Sequence, residues 1–275
     1  MKRVPMPTIR YSAPLQVLVA VRGHPFDRTA FDAIFQDMEG IAATMVDQPA
    51  ASQLMNPQGL APYDALVLYD MPGLDFDAPH EPPALIDPGH AFREGFRALL
   101  EEGKGIVALH HALAGWPAFP DYAEALGGTF LYRSREVRGQ LRPDSGYRHG
   151  VEYTAQVTAT AHPVMAGIPA SFAMKDELYL AEIFTDSVTP LLRADHRFDR
   201  DGFHSATAAM EGRMFDNQGW EHEPGSDLIG WTLKSGNSPV VYLQPGDDRT
   251  TYDNPVYRRL VENAIRWVAS PEARD

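Results

Sequence analysis

Between Gly103 and Trp116 the chain reads Gly-Lys-Gly-Ile-Val-Ala-Leu-His-His-Ala-Leu-Ala-Gly-Trp, and no other stretch constrains the fold as much. Gly105 to Leu109 is a short apolar run with β-branched residues, framed by Gly103 and Gly105. Such a run predicts a strand buried on both faces, as in the middle of a parallel sheet. It stops at His110 and His111, and small residues of helical character follow. A strand, a tight turn and a helix present side chains at the carboxyl edge of a sheet, where open α/β folds hold their ligands. Two imidazoles at that edge are the first functional clue.

The rest of the chain repeats the alternation. Leu15 to Val21, Ile41 to Val46 and Asp64 to Tyr69 are further strand-like runs. Helical spacing puts Phe31, Ile34 and Phe35 on one face of a helix capped by Asp27 or Thr29. It also puts Phe92, Phe96, Leu99 and Leu100 on one face of a helix over His90 to Glu102. A third helix is predicted from Pro120 to Leu126, closed by Gly127-Gly128. A last one starts at Pro255 behind Asp253 or Asn254. Residues 74 to 89, rich in Pro and Asp, read as loop. Val151 to Val157 alternates as a strand does. Leu228 to Leu233 and Pro239 to Leu243 flank Lys234-Ser-Gly-Asn237 as an antiparallel hairpin. The pattern predicts βαβ units and a mostly parallel sheet between helical layers. With no internal repeat, low-complexity segment or linker, residues 1–275 read as one domain.

Charge and composition narrow the function. A formal net charge of −13 argues against nucleic acid or an anionic membrane as partner, because phosphate binding needs clustered Lys and Arg. The absence of cysteine excludes disulfides, thiolate nucleophiles and zinc–thiolate sites. Met1 to Tyr11 is polar and proline-containing, and no apolar stretch has the length of a membrane span. The expectation is a cytoplasmic protein. Arg133, Arg135, Arg138, Arg142 and Arg148 make residues 133–148 basic, as surface ion pairs more readily than as an anion clamp. Residues 193–226 are polar and irregular, with His196, His204, His222 and Trp220. Both segments are candidates for a cover over the substrate.

If the strands are parallel, their carboxyl ends share one rim. His24 follows the first, Asp70 the third, His110 and His111 the central one, and Asp247-Asp248 the last. Neutral imidazoles suit acid–base work near neutral pH or metal ligation. Asp176-Glu177 would supply a carboxylate beside them, unless it is a solvated acidic pair. His110, His111, Glu177 and Asp70 are therefore the candidate catalytic residues. His24, His149, Asp247 and Trp116 are the candidates for substrate binding, although capping, turn chemistry and core packing are ordinary roles for the same residues. His162 before Pro163 reads as a loop-fixing residue.

Several motifs carry a family resemblance. Gly105-Ile-Val-Ala-Leu-His110 with Trp116-Pro and Leu126-Gly-Gly-Thr-Phe130 resembles the ThuA-like family, named for trehalose utilisation. So do Ala161-His-Pro-Val-Met-Ala-Gly-Ile-Pro169 and Asp176-Glu-Leu-Tyr179. The close is similar as well, with Trp231, Ser238-Pro-Val-Val-Tyr242, Gly246, Tyr252-Asp-Asn-Pro255 and Ile265-Arg-Trp267. The matches run in order along nearly the whole chain. The resemblance implies a flavodoxin-like, class I glutamine amidotransferase-like sandwich and a link to sugars, glycosides or oxidised (3-keto) sugars. Two departures matter. A glutamine amidotransferase carries cysteine at the strand–helix elbow, and this chain has His111 there, which excludes thiol-based glutamine hydrolysis. Relatives often carry a small hydroxyl residue at that elbow and a His after the late Gly, where this chain has His111 and Asp247.

The expected function is a hydrolase or lyase acting on a sugar, glycoside or keto sugar by His/carboxylate chemistry. A variant has His110, His111 and Glu177 holding a divalent metal, zinc foremost, although no HxxxH or HExxH spacing supports it. The rival is a non-catalytic protein that uses the same crevice to hold a small ligand or to assemble. The partner in either case is a small sugar-like molecule, and a homo-oligomer stays open.

Overall fold

The computed structural model describes residues 9–80 and 83–274, so most of the polar start discussed above lies outside the described residues. Nine strands carry the architecture: β1 (Leu15–Val21), β2 (Ile41–Asp47), β3 (Ala65–Leu68), β4 (Gly105–Leu109), β5 (Gly146–Val157), β6 (Ser171–Leu180), β7 (Thr189–Ala194), β8 (Leu228–Ser235) and β9 (Ser238–Leu243). They form one sheet in the order β6-β5-β7-β8-β9-β4-β3-β1-β2, and the two-residue strand His204–Ser205 pairs β5 as a tenth member. Strands β2, β1, β3, β4 and β9 are parallel to one another. From β8 outward each strand runs antiparallel to its neighbour. The sheet is thus a parallel half extended by an antiparallel half.

Helices α1 (Arg28–Gln36), α2 (His90–Glu102), α3 (Pro120–Leu126) and α4 (Pro255–Ala269) cover its two faces. Period-two alternation decides which side chain goes where. Val17, Val19 and Val21 share a core with Phe31 of α1 and Leu260, Ala264 and Ile265 of α4. Leu18 and Ala20 face the other way, toward Phe96 of α2 and Leu126 of α3. Each fully buried aliphatic side chain contributes about 1.5–3 kcal/mol relative to exposure, so the two cores hold the three layers together. The caps are chemically ordinary. Asp27 accepts from Ala30 N, Asn254 accepts from Val256 N, and Gly127 closes α3 in the left-handed region.

Predicted and observed elements agree for β1, α2, β4 and α3, and the 228–243 hairpin is antiparallel as read. Three differences bear on the site. Strand β5 begins at Gly146, five residues before the predicted Val151. Strand β6 occupies residues 171–180, where an acidic pair had suggested solvated chain. Residues 133–148 are not one covering loop, because Arg135–Val137 pairs with Gln140–Arg142 and 146–148 belong to β5. Arg138 pairs with Glu124 and Asp186, and Arg142 with Glu182, as surface ion pairs.

The β5–β6 hairpin is what completes the site. Strand β6 lies five places from β4 in the sheet, yet its Tyr179 N–H donates to the Gln244 side chain at 2.9 Å, just past β9. The outer hairpin therefore closes over the carboxyl rim of the parallel half. A bulge breaks the β5 register between Arg148 and Val151, with Gly150 at φ +64°. Bulges re-aim side chains, and this one frees His149 from the ladder.

Candidate acid–base site at the sheet edge

His110 is the first residue after β4, turned out of the strand at φ +36° and wholly buried. Its Nδ1 lies 2.5 Å from the Gln244 carbonyl, which can only accept, so Nδ1 carries a proton. Its Nε2 meets Glu177 Oε2 at 3.1 Å. Burial opposes a charge on this ring, but the Glu177 hydrogen bond and the nearby Asp247 and Asp176 outweigh it and lift the pKa to about 9. At neutral pH His110 is an imidazolium that donates from both nitrogens.

The other carboxyl oxygen of Glu177, Oε1, lies 3.0 Å from His149 Nδ1, and Asp247 Oδ2 lies 3.7 Å from the same nitrogen. Glu177 is thus held between a sealed imidazolium and a half-exposed imidazole. Asp247, with Glu177 adding to its field, raises the His149 pKa against partial burial. The Asp247 carboxyl is buried, which would raise its own pKa, yet His149 and His110 hold it below the usual range.

His111 is also buried, and its Nδ1 is 3.3 Å from the Tyr179 hydroxyl. Burial and the neighbouring His110, His24 and His149 push its pKa well below 6.5, so it is a neutral ring. His24 packs against it with ring centroids 4.1 Å apart and planes tilted by 45°, and its pKa is likewise lowered, first by burial. Two supports keep this cluster in register. Asp176 accepts from Gly246 N at 2.6 Å, Asp247 N at 3.1 Å and Glu177 N at 2.9 Å. Gly246, at φ +142°, passes so close that a Cβ would sit 2.8 Å from the Tyr257 hydroxyl. Asp248 takes no part, since it caps the turn at Arg249–Tyr252.

A cavity of about 230 Å³ opens on this cluster, with His24, His149 and Tyr179 in its wall beside Phe130, Tyr132 and Tyr147. Ala206, Ala209, Met210 and Met214 also line it, so part of the 193–226 segment borders the cavity. The volume is below the ~300–1,000 Å³ of sites for drug-sized ligands and suits a single small ring against aromatic faces.

The structure therefore brings His110, His111, Glu177, His24, His149 and Asp247 together. It leaves two sequence candidates outside. Asp70 is buried against Gln48, whose Nε2 donates to it at 2.6 Å. Alternation explains this: Tyr69 points to the His111 side at 5.1 Å, so the next residue points away. Trp116 packs on Phe92 of α2 at 4.8 Å and lines a separate cavity with Gln48 and Asn56. Residues not singled out from sequence include Gln244 and Tyr179, whose polar atoms fasten β6 to the rim.

Burial raises the Asp70 pKa from 3.8 to about 6, against the lowering effect of the Gln48 hydrogen bond. A raised carboxyl contributes stability that is complete below 3.8 and is lost as pH rises through 6. Two pKa steps at about 1.4 kcal/mol each set an upper bound of about 3 kcal/mol. Asp70→Asn is neutral at every pH, so relative to wild type it gains up to about 3 kcal/mol between pH 4 and pH 7.5. Urea unfolding at the two pH values reads this, and a variant whose stability relative to wild type is the same at both would overturn it.

A layered sheet with its polar cluster at the carboxyl edge of the parallel strands defines a flavodoxin-like sandwich of the class I glutamine amidotransferase type. The ThuA family model, described as trehalose utilisation, matches residues 16–268, and the chain belongs to that family. Among solved structures it is similar to a ThuA-like protein of Parabacteroides merdae (14% identity, TM-score 0.64, 94% of this chain and 90% of that one). A ThuA-like protein of Bacteroides uniformis is similar at 18% identity and TM-score 0.59, over 96% and 95% of the two chains. PurLQS from Thermotoga maritima shares the fold at 12% identity and TM-score 0.50, over 92% and 99%. No curated protein matches the sequence. Family membership supports a role in carbohydrate metabolism. No helix among the described residues is long and apolar enough to cross a membrane.

Proposed function

We propose that the protein cleaves a small oxidised sugar or keto glycoside, as a lyase or hydrolase, with His149 as the proton-transferring group. The observation that carries this reading is Glu177 shared between His110 Nε2 at 3.1 Å and His149 Nδ1 at 3.0 Å, with only His149 reaching the cavity. A half-exposed imidazole braced from behind by a carboxyl and a fixed cation is arranged to take up and return a proton. Glu177 and Asp247 orient that ring and are positioning residues in this scheme. His110, sealed from the cavity, fixes Glu177.

Ordinary glycosidases place two carboxyl groups on opposite sides of the scissile bond. Here Glu177 and Asp247 both face the same nitrogen of His149, on one side of the cavity. That arrangement suits a substrate in which a ketone already acidifies the neighbouring C–H. Neutral His149 removes that proton, the electron pair forms the carbon–carbon double bond, and the C–O bond to the leaving group breaks. The imidazolium then returns the proton to the departing oxygen. Water can add to the enone in a hydrolase, and a lyase releases it. The test is product analysis with paired glucosides and 3-keto-glucosides. Release of the leaving alcohol from the keto form only supports the reading. Cleavage of the unoxidised glycoside alone overturns it, and binding of both without cleavage leaves a ligand-holding protein.

A further inference from the structure

We infer that His24, His111 and Asp247 form a binding site for one first-row divalent cation, zinc in the first place. One ligand atom from each of the three lies within 4.8 Å of the others. His111 Nε2 and Asp247 Oδ1 are 4.0 Å apart. Tetrahedral coordination at about 2.0–2.2 Å asks for ligand atoms about 3.5 Å apart, so the His111–Asp247 pair needs to close by about half an ångström and the other pairs by at most about 1.3 Å.

The hydrogen-bond pattern supplies the second argument, because it fixes which nitrogen carries the proton. His24 Nδ1 lies 2.9 Å from the Pro25 carbonyl, an acceptor only, so Nδ1 is the protonated atom and Nε2 keeps its lone pair. When His111 Nδ1–H donates to the Tyr179 hydroxyl, 3.3 Å away, Nε2 is the unprotonated nitrogen. His111 Nε2 is then left as a bare lone pair. Among the described residues it is a buried nitrogen with no hydrogen-bond partner, and the ring is 1% exposed. A cation at this point would satisfy that uncompensated buried acceptor. Ligating histidines ordinarily have their second nitrogen tied to an oxygen in this manner.

The same bookkeeping rejects the set read from sequence. His110, Glu177 and Asp247 also cluster within 4.8 Å. But both nitrogens of His110 are engaged, with Gln244 and Glu177, and neither offers a lone pair. His110, His111 and Glu177 are therefore not the ligand set. Two imidazoles and one carboxylate leave at least one coordination position open, as in catalytic rather than structural metal sites. The inference stands apart from the sugar chemistry, since it concerns metal affinity alone.

The test is calorimetric titration of chelator-treated full-length protein with Zn²⁺ at pH 7, and with Co²⁺ followed by visible absorption. The expected result is one equivalent bound and an intense Co²⁺ band of tetrahedral type. His24→Gln, His111→Gln and Asp247→Asn each weaken binding by about 100-fold or more, whereas His110→Gln changes it less than tenfold. His24 sits on a partly exposed loop, so its variant stays informative even if the buried ones fail to fold; near-UV circular dichroism checks each. Wild type binding no equivalent of either metal overturns the inference, and so does a His24→Gln variant that binds as wild type does.

Discussion

Replacing His149 by Gln is expected to lower turnover of a keto glycoside by about 10²–10⁴-fold, the usual contribution of a positioned acid–base group. The fold should tolerate the change. His149 is half-exposed, lies in a bulge outside the ladder, and its ring packs on Tyr147 and Phe215 besides the two carboxyl groups. The measurement is kcat and KM at several pH values beside the unfolding curve. A fall in kcat with stability unchanged identifies the proton carrier. A change confined to KM, with kcat retained, would assign His149 to binding and remove it from the chemistry.

The second large effect concerns stability. Asp176 is buried and accepts three backbone N–H groups, from Gly246, Asp247 and Glu177. Asp176→Ala leaves those donors without that acceptor, at about 1–3 kcal/mol each, or about 3–9 kcal/mol in total. At 2–4 °C per kcal/mol for a chain near this size, the melting temperature should fall by about 6 °C or more. Asp176→Asn keeps one oxygen and should lose less than half of that. The effect should extend to the site, because the loop that places Asp247 is released. A drop below 3 °C in the alanine variant would show that the loop is held by other contacts.

The parallel half of the molecule was legible because its physics is local. A β-branched apolar run bounded by glycine, such as Gly105–Leu109, has few alternatives to a buried strand, and helical spacing fixed α2 to the residue. Strand direction then placed His24, His110, His111 and Asp247 on one rim. What sequence could not show was the sense of each side chain at that rim. Asp70 and Trp116 are neighbours along the chain of residues in the cluster, yet Asp70 turns to Gln48 and Trp116, at φ +42°, packs on Phe92 of α2. Strand β6 was missed because Asp176 and Glu177 interrupt its apolar alternation. Charges inside a strand make sense only once an outer hairpin carries them over the rim, and that is a tertiary fact. His149 had one local signal, the His149-Gly150 pair within a strand pattern, which marks a bulge.

The family and fold belong to a broad class, and the chemistry is set by what this chain has placed at the edge. The claim most exposed to test is that His149 moves a proton at the carbon beside a ketone. Incubating the protein with a 3-keto-glucoside in deuterium oxide and following that C–H by proton NMR tests it directly. With wild type, deuterium is expected to enter at that carbon or that hydrogen to be lost into solvent, and neither should rise above background with His149→Gln. Cleavage by wild type with the hydrogen retained in the product, or exchange that persists undiminished in His149→Gln, would contradict it.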